Sequence, residues 1–268
     1  DPEYDVVSLS RRDGLDLTDL DSAKKYIEKI KPDAIINCAA HVGSLHYVSK
    51  YAATVFDDNV RMALNLYKAV LETCPSARIV NPLSNCSYPG DADIHNEPDW
   101  WMGEVHKSVF SYGNAKRFIY VTSGCYAMEH GIHTVNILVP NTFGPGDYTD
   151  PNRTHALNGM IIRMLQAHWN NQPEFEIWGT GSPIREWAYI DDVAEILKEG
   201  LSAQILHIGP YSEEGPTVEK LHDFIHENGY EFDGNIDKQK HHEIYLSDMR
   251  RIKPERLKTI IRQPIRLK

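Results

Sequence analysis

"AIINCAA", residues Ala34 to Ala40, decides the fold. The run is apolar apart from Asn37 and too short for a typical helix, which makes it a buried strand. Before it lies "LTDLDSAKKYIEKIKPD", a helical pattern with Asp19 or Asp21 as its cap and Pro32 past its end. After it, Ala52 to Glu72 carries Val60, Ala63, Leu64, Leu66, Tyr67 and Val70 at helical spacing. Working outward, Val6 to Leu9 reads as an earlier strand, "ARIV" (Ala77 to Val80) as a later one, Ala115 to His130 as a helix and "HTVNILVP" (His133 to Pro140) as a further strand. Strands that are nearly all apolar, alternating with helices, predict an α/β chain: a Rossmann-like, doubly wound parallel sheet covered on both faces.

After Pro145 the texture changes. "HALNGMIIRMLQAHWN" is helical, "FEIW" a short strand, "YIDDVAEILKEGLS" a helix, "ILHIG" a strand and "TVEKLHDFIHENGY" a capped amphipathic helix. The expected division is a dinucleotide-binding domain over 1–147 and a mainly substrate-binding lobe over 148–268, with segments returning to the sheet. Asp191-Asp192 reads as a charged helix start rather than a site.

A formal net charge of −10 would repel a nucleic-acid backbone, while leaving room for a local basic pocket that takes a small phosphate ligand. No stretch approaches the ~18 apolar residues of a membrane span. Cys38, Cys74, Cys86 and Cys125 fit neither a zinc spacing nor a disulfide framework, so free thiols in a reducing, cytoplasmic setting are expected. For Cys38, Cys74 and Cys125 the default is a small buried apolar role.

Two motifs carry chemistry. In "YGNAK" (Tyr112 to Lys116) a tyrosine and a lysine four apart share a helix face. A nearby ammonium would lower the phenol from its usual ~10, fitting it for proton exchange with a ketone or hydroxyl. In "SNCSYP" (Ser84 to Pro89) a hydroxyl and a thiol stand two apart where a strand ends. If the segment stays extended, both side chains face the same way. Pro82, just upstream, lacks a ladder donor and would end that strand early. "NCAAHVG" and "VPNTFGPGD" end two other strands, and parallel α/β sheets bind ligands at strand carboxyl ends.

The ordered set "NCAAHVG", "SNCSYP", "YGNAK", "VPNTFGPGD", "THALNGMIIRML" and "WGTGSPIREWAYIDD" resembles the extended short-chain dehydrogenase/reductase (NAD-dependent epimerase/dehydratase) family over about Val6 to Val193. Within that family the set is most similar to the GDP-L-fucose synthase branch. Tyr-x3-Lys identifies only the superfamily; Ser-x-Cys-x-Tyr-Pro, with a histidine after the G-P-x-D loop, is more specific.

The resemblance implies that Ser84, Tyr112 and Lys116 are a reductase triad, and that Cys86 and His155 are the base and acid of two epimerisations. It assigns Arg12, Asp16, Ala39, Ala40, His41, Tyr112, Lys116, Pro140, Asn141, Phe143 and His155 to the cofactor. Ser84, Arg163, Trp178 and Arg185 fall to a nucleotide-diphosphate sugar, GDP-linked in this branch. Arg12, with Arg11 beside it, points to the 2′-phosphate of NADP over NAD. A homodimer paired through the helices at 52–72 and 115–130 is implied, with Tyr120 and Tyr126 on the second face. The implied activity is C3/C5 epimerisation of a GDP-4-keto-6-deoxy-hexose followed by NADPH-dependent C4 reduction. A different nucleotide-sugar 4-epimerase, 4-reductase or dehydratase is the alternative within the family. A non-catalytic binding protein is the alternative outside it.

The chain also departs from that pattern. It holds no glycine-rich turn after a first strand, and Asp1 falls where the family's second strand would begin. The first βα unit is therefore expected upstream of Asp1, the given chain being a fragment. Short connections near 202 and 237 suggest omitted loops.

Overall fold

The computed structural model describes residues 5–92, 94–150, 154–177, 180, 187–199, 202–233, 241–245, 247 and 252–268. They fall into two compact units, Asp1–Ile190 and Asp191–Lys268.

In the first unit, α1 (Leu20–Ile30) is capped by the Asp19 carboxylate, which accepts the Asp21 N–H. Then come β1 (Ala34–Ile36), α2 (Leu45–Lys50), α3 (Ala52–Thr73), β2 (Arg78–Ser84), α4 (Phe110–His130), β3 (Thr134–Val139), β4 (Asn141–Phe143), α5 (Ala156–Trp169) and β5 (Trp187–Tyr189). The first three strands form a parallel sheet in the order β1-β2-β3, and β4 pairs with β5 in parallel. The core explains the helices. Ala23 and Ile27 of α1 meet Leu66, Tyr67 and Val70 of α3, Ile79 of β2 and Ile132. Each large side chain buried there contributes roughly 1.5–3 kcal/mol. A second cluster joins Ala63, Leu83, Tyr88, Trp100 and Ile119 beside the carboxyl end of β2.

A polar ladder crosses this sheet. The Asn37 amide donates to Asn81 (3.1 Å), and Asn81 donates to Asn136 (3.1 Å) and to the Tyr67 hydroxyl (2.9 Å). Asn136 continues to Ser123 (2.8 Å). Asn81 is 1% exposed, so its amide depends on these partners.

The strand β2 runs through Pro82 instead of stopping there, pairing with β3 as far as Ser84 against Val139. The reason is one-sided. The Arg78 N–H and the Val80 carbonyl bond toward β1, while the Ile79 N–H bonds toward β3. By alternation Pro82 faces the β1 side, and β1 pairs only with residues 78 to 80. The missing N–H therefore removes no ladder bond.

Val6 to Leu9 does not form a strand. These residues pair with nothing among the described residues, and Val6 and Val7 are exposed. Ser10 instead caps a short 3-10 turn over Arg11–Asp13. β propensity alone makes no strand without a ladder partner. The edge residue Ile36 is likewise 64% exposed. Residues 175–177 of "FEIW" are not a strand either; Trp178 lies outside the described residues.

The helix α6 (Ile190–Glu199) starts at the unit boundary, with Asp191 and Asp192 in its first turn, where carboxylates suit the helix dipole. In the second unit β6 (Ser202–Ile208), α7 (Gly215–Glu227), β7 (Tyr230–Phe232), β8 (His242–Tyr245) and β9 (Lys258–Leu267) form an antiparallel sheet under one helix. Among the described residues β6, β7 and β8 each pair with β9. Leu221 and Ile225 of α7 pack on Ala203, Ile261 and Ile265. The start of α7 has no side-chain cap; the proline in its first turn carries no N–H to leave unpaired there.

Candidate functional site

The site grows from the carboxyl end of β2. Ser84 closes the strand, and Asn85–Ser87 then turns in a 3-10 coil. The extended geometry expected for Ser84 to Cys86 is therefore absent, and strand alternation does not set their directions. The turn is local chemistry: Ser84 Oγ accepts the Cys86 N–H at 3.2 Å, and the Ser87 hydroxyl donates to the Ser84 carbonyl. The helix α4 lies against this turn. A β-carbon on Gly113 would stand 2.4 Å from the Cys86 carbonyl oxygen, so glycine lets the two backbones meet.

Tyr112 and Lys116 occupy the first turns of α4, four residues apart as expected, with the ammonium 5.5 Å from the phenol ring centre. Lys116 is 6% exposed and donates to the Pro82 carbonyl at 2.9 Å. That carbonyl sits on the strand edge that β1 leaves unpaired. Burial pulls the Lys116 ammonium down to about 8, against the opposing pull of Cys38. Tyr112 behaves opposite to expectation. Burial and then the neighbouring Cys86 push its phenol well above the usual range. Desolvation outweighs an ammonium that is hydrogen-bonded to a carbonyl rather than to the phenol.

The loop after β1 is tied down by α3. The His41 N–H donates to Asn59 Oδ1 (3.0 Å), and Asn59 returns a bond to the His41 carbonyl (2.8 Å). The His41 ring spans Asp58 (2.7 Å) and the Tyr47 hydroxyl (2.9 Å). Ala39 and Ala40 on this loop present only methyl groups, the former exposed. Pro140, Asn141 and Phe143 follow β3, with Phe143 packed 5.4 Å from the Tyr189 ring.

His155 caps α5 with its backbone while its ring bonds Asp147 at 3.1 Å. Asp147 also accepts the His155 N–H and the Asn158 amide. Burial works to raise that carboxyl, and these hydrogen bonds outweigh it, holding Asp147 below the usual range. No hydrogen bond among the described residues joins His155 to Ser84, Cys86, Tyr112 or Lys116. Arg163 is half-buried on α5 and donates to the Glu176 carbonyl at 3.3 Å. Arg12 is exposed beyond Ser10, and Asp16 bonds Thr18 and pairs with Arg11 at 3.5 Å. Arg185 and Trp178 lie outside the described residues.

The four cysteines are free thiols, but Cys38 and Cys125 are exposed rather than buried, and Cys74 packs on the core. Sequence reasoning missed Asp147, which holds His155, and Arg117, which holds the turn beyond Cys86. For Arg117 the signal was a second cation directly after Lys116, inside an otherwise buried helix face. No helix among the described residues is long and apolar enough to cross a membrane.

The residues present fit a dinucleotide in part. Lys116 has ammonium donors beyond the one used at Pro82, suited to ribose hydroxyls, and Arg12 is an exposed guanidinium suited to a phosphate. Ala39 and Ala40 leave the adjoining loop flat.

Comparison with known proteins agrees. The GDP-L-fucose synthase of Dictyostelium discoideum is 32% identical over 229 residues, covering 80% of this chain and 68% of that protein. A probable GDP-L-fucose synthase 1 of Oryza sativa subsp. japonica is 29% identical, covering 80% and 66%. The crystal structure of a GDP-L-fucose synthetase from Naegleria fowleri bound to NADP superposes with a TM-score of 0.63 at 29% identity, covering 71% of this chain and 62% of that one. The chain thus spans about two thirds of the length of these curated relatives, and less of the solved one. Residues 191–266 match a second family model, the GyrI-like small molecule binding domain. With residues 1–204 matching its family model and Ser84, Cys86, Tyr112 and Lys116 gathered at one strand end, the chain belongs to the NAD dependent epimerase/dehydratase family.

Proposed function

We propose that the first unit belongs to a nucleotide-sugar epimerase/reductase that epimerises a GDP-4-keto-6-deoxy-hexose at C3 and C5 and then reduces C4. The observation that carries this reading is the packing of the Cys86 turn against the Tyr112–Lys116 helix, with Ser84 in the same turn. Its likeness to GDP-L-fucose synthases supports the choice of sugar nucleotide. Protons beside a ketone are acidic enough for a thiolate, so Cys86 takes them from C3 and C5. Ser84 and Tyr112 donate hydrogen bonds to the C4 oxygen and hold the enolate. A phenol that burial keeps protonated is suited to this donation and to protonating the C4 oxygen later. His155, oriented by Asp147, returns protons to carbon and sets the new stereochemistry. Arg163, with Arg185, binds the diphosphate. NADPH, when bound, supplies the hydride for C4; Arg12 and Lys116 hold its 2′-phosphate and ribose. A cytoplasmic setting fits the free thiols, and a homodimer fits the exposed Tyr120 and Val121 on α4.

The test is solvent-deuterium exchange into the keto-sugar. Cys86→Ser should abolish exchange at C3 and C5 while C4 reduction stays measurable, and Tyr112→Phe should cut reduction severely. Exchange at the wild-type rate in Cys86→Ser would return Cys86 to a packing role.

A second reading applies to the second unit: a small-molecule binding module instead of the substrate lobe of the first. It is favoured by the separate family match over 191–266 and by a sheet with its own core. Hydrogen exchange with and without the GDP-sugar decides. Protection in β6 to β9 supports a substrate lobe, and unchanged exchange there supports the module.

A further inference from the structure

Arg117 is 8% exposed, yet no carboxylate is paired with it among the described residues. A buried guanidinium is costly unless its donors are satisfied. Here three carbonyls do this: Nε donates to Ser87 O (2.8 Å), Nη1 to Gly103 O (2.9 Å) and Nη2 to Trp100 O (2.7 Å). The Trp101 ring lies 5.3 Å from the guanidinium carbon, adding a cation–π contact. These carbonyls belong to two segments, the end of the Cys86 turn and the loop at 100–103.

The same loop reaches back a second time. The Trp100 indole N–H donates to Ser87 Oγ at 2.8 Å, and that hydroxyl donates to the Ser84 carbonyl. The turn is thus held at both ends. One residue earlier on α4, Lys116 holds Pro82 O. Two consecutive cations on one helix therefore bracket the segment that bears Ser84 and Cys86, at carbonyls 82 and 87.

We propose that Arg117 is a positioning residue that fixes the Cys86 thiol beside Tyr112 by clamping the Ser87 carbonyl to the 100–103 loop. The proposal rests on the reading of Cys86 as the base. A guanidinium suits the clamp because its planar fork holds Nε, Nη1 and Nη2 apart in fixed directions, whereas the three donors of an ammonium share one nitrogen. The clamp acts on a turn that is otherwise only three residues long and half-exposed at Asn85 and Cys86.

The test is timed alkylation of the full chain by iodoacetamide, read cysteine by cysteine by peptide mass spectrometry. Arg117→Met removes all three donors; where it fails to fold, Arg117→Lys carries the test. Cys86 should be alkylated about tenfold faster in the variant, while Cys74, packed on the distant core cluster, keeps its wild-type rate. Cys86 unchanged, or Cys86 and Cys74 rising together, would overturn the proposal, the latter because it marks general loosening. Alkylation reads the turn whether or not any sugar is turned over. Failure of the base assignment would instead appear in the deuterium-exchange assay, with the alkylation result intact.

Discussion

The stability of Lys116→Met relative to the wild type should fall as pH rises from 7 to 10. Burial lowers the ammonium from 10.5 to about 8 in the folded chain. The folded state then binds this proton more weakly than the unfolded state does. Below pH 8 both states carry it, and the folded state is penalised by the whole difference. At 1.36 kcal/mol per pKa unit the gap amounts to about 3 kcal/mol. Between pH 8 and 10.5 the folded chain has released the proton while the unfolded chain keeps it, so stability rises with pH. Lys116→Met lacks this dependence. The bond to the Pro82 carbonyl is lost in the variant, which shifts the comparison by a roughly constant 1–3 kcal/mol while the lysine is charged. The informative quantity is therefore the change with pH in the stability difference between variant and wild type. Urea unfolding of both at pH 7, 8, 9 and 10 should show that difference moving by about 2 kcal/mol, in favour of the wild type, from pH 7 to 10. Subtracting the variant cancels the titrating groups that do not interact with Lys116. A difference constant across that range would refute the assignment of a desolvated Lys116.

Asn81→Leu should lower stability by about 3 kcal/mol in the same assay, because the bonds linking Asn81 to Asn37, Asn136 and Tyr67 are all broken. Arg12→Ala should reduce discrimination between NADPH and NADH, measured as the ratio of their kcat/KM values, and an unchanged ratio would remove Arg12 from the phosphate site. His155→Asn should slow protonation at carbon and scramble the product stereochemistry, read by NMR of the sugar, while leaving deprotonation measurable. Light scattering at micromolar concentration should give twice the chain mass.

Local pattern made much of this protein legible. The apolar runs at Ala34, Ala77 and His133 alternate with helical periodicities, and periodicity is a property of neighbouring residues. The same holds for the Asp19 cap and for Tyr112 and Lys116 sharing a helix face. The place of Ser84 at the carboxyl end of a strand followed from the alternation as well.

What only the tertiary structure decided depends on partners distant in the chain. Val6 to Leu9 has strand composition but no ladder to join among the described residues, and Pro82 stays within β2 because β1 stops beside it. Ser84 and Cys86 looked like alternating strand residues until a hydroxyl–amide bond closed the 3-10 turn. Tyr112 was expected to be acidified by Lys116, yet burial dominates, and burial is the sum of everything packed around a group. Arg117 had no sequence mark beyond a second charge directly after Lys116, since its three partners are carbonyls and every residue carries one. Side-chain type and spacing thus determined which elements form and which residues could react. Pairing, desolvation and backbone acceptors, which no single stretch encodes, determined how those residues are held.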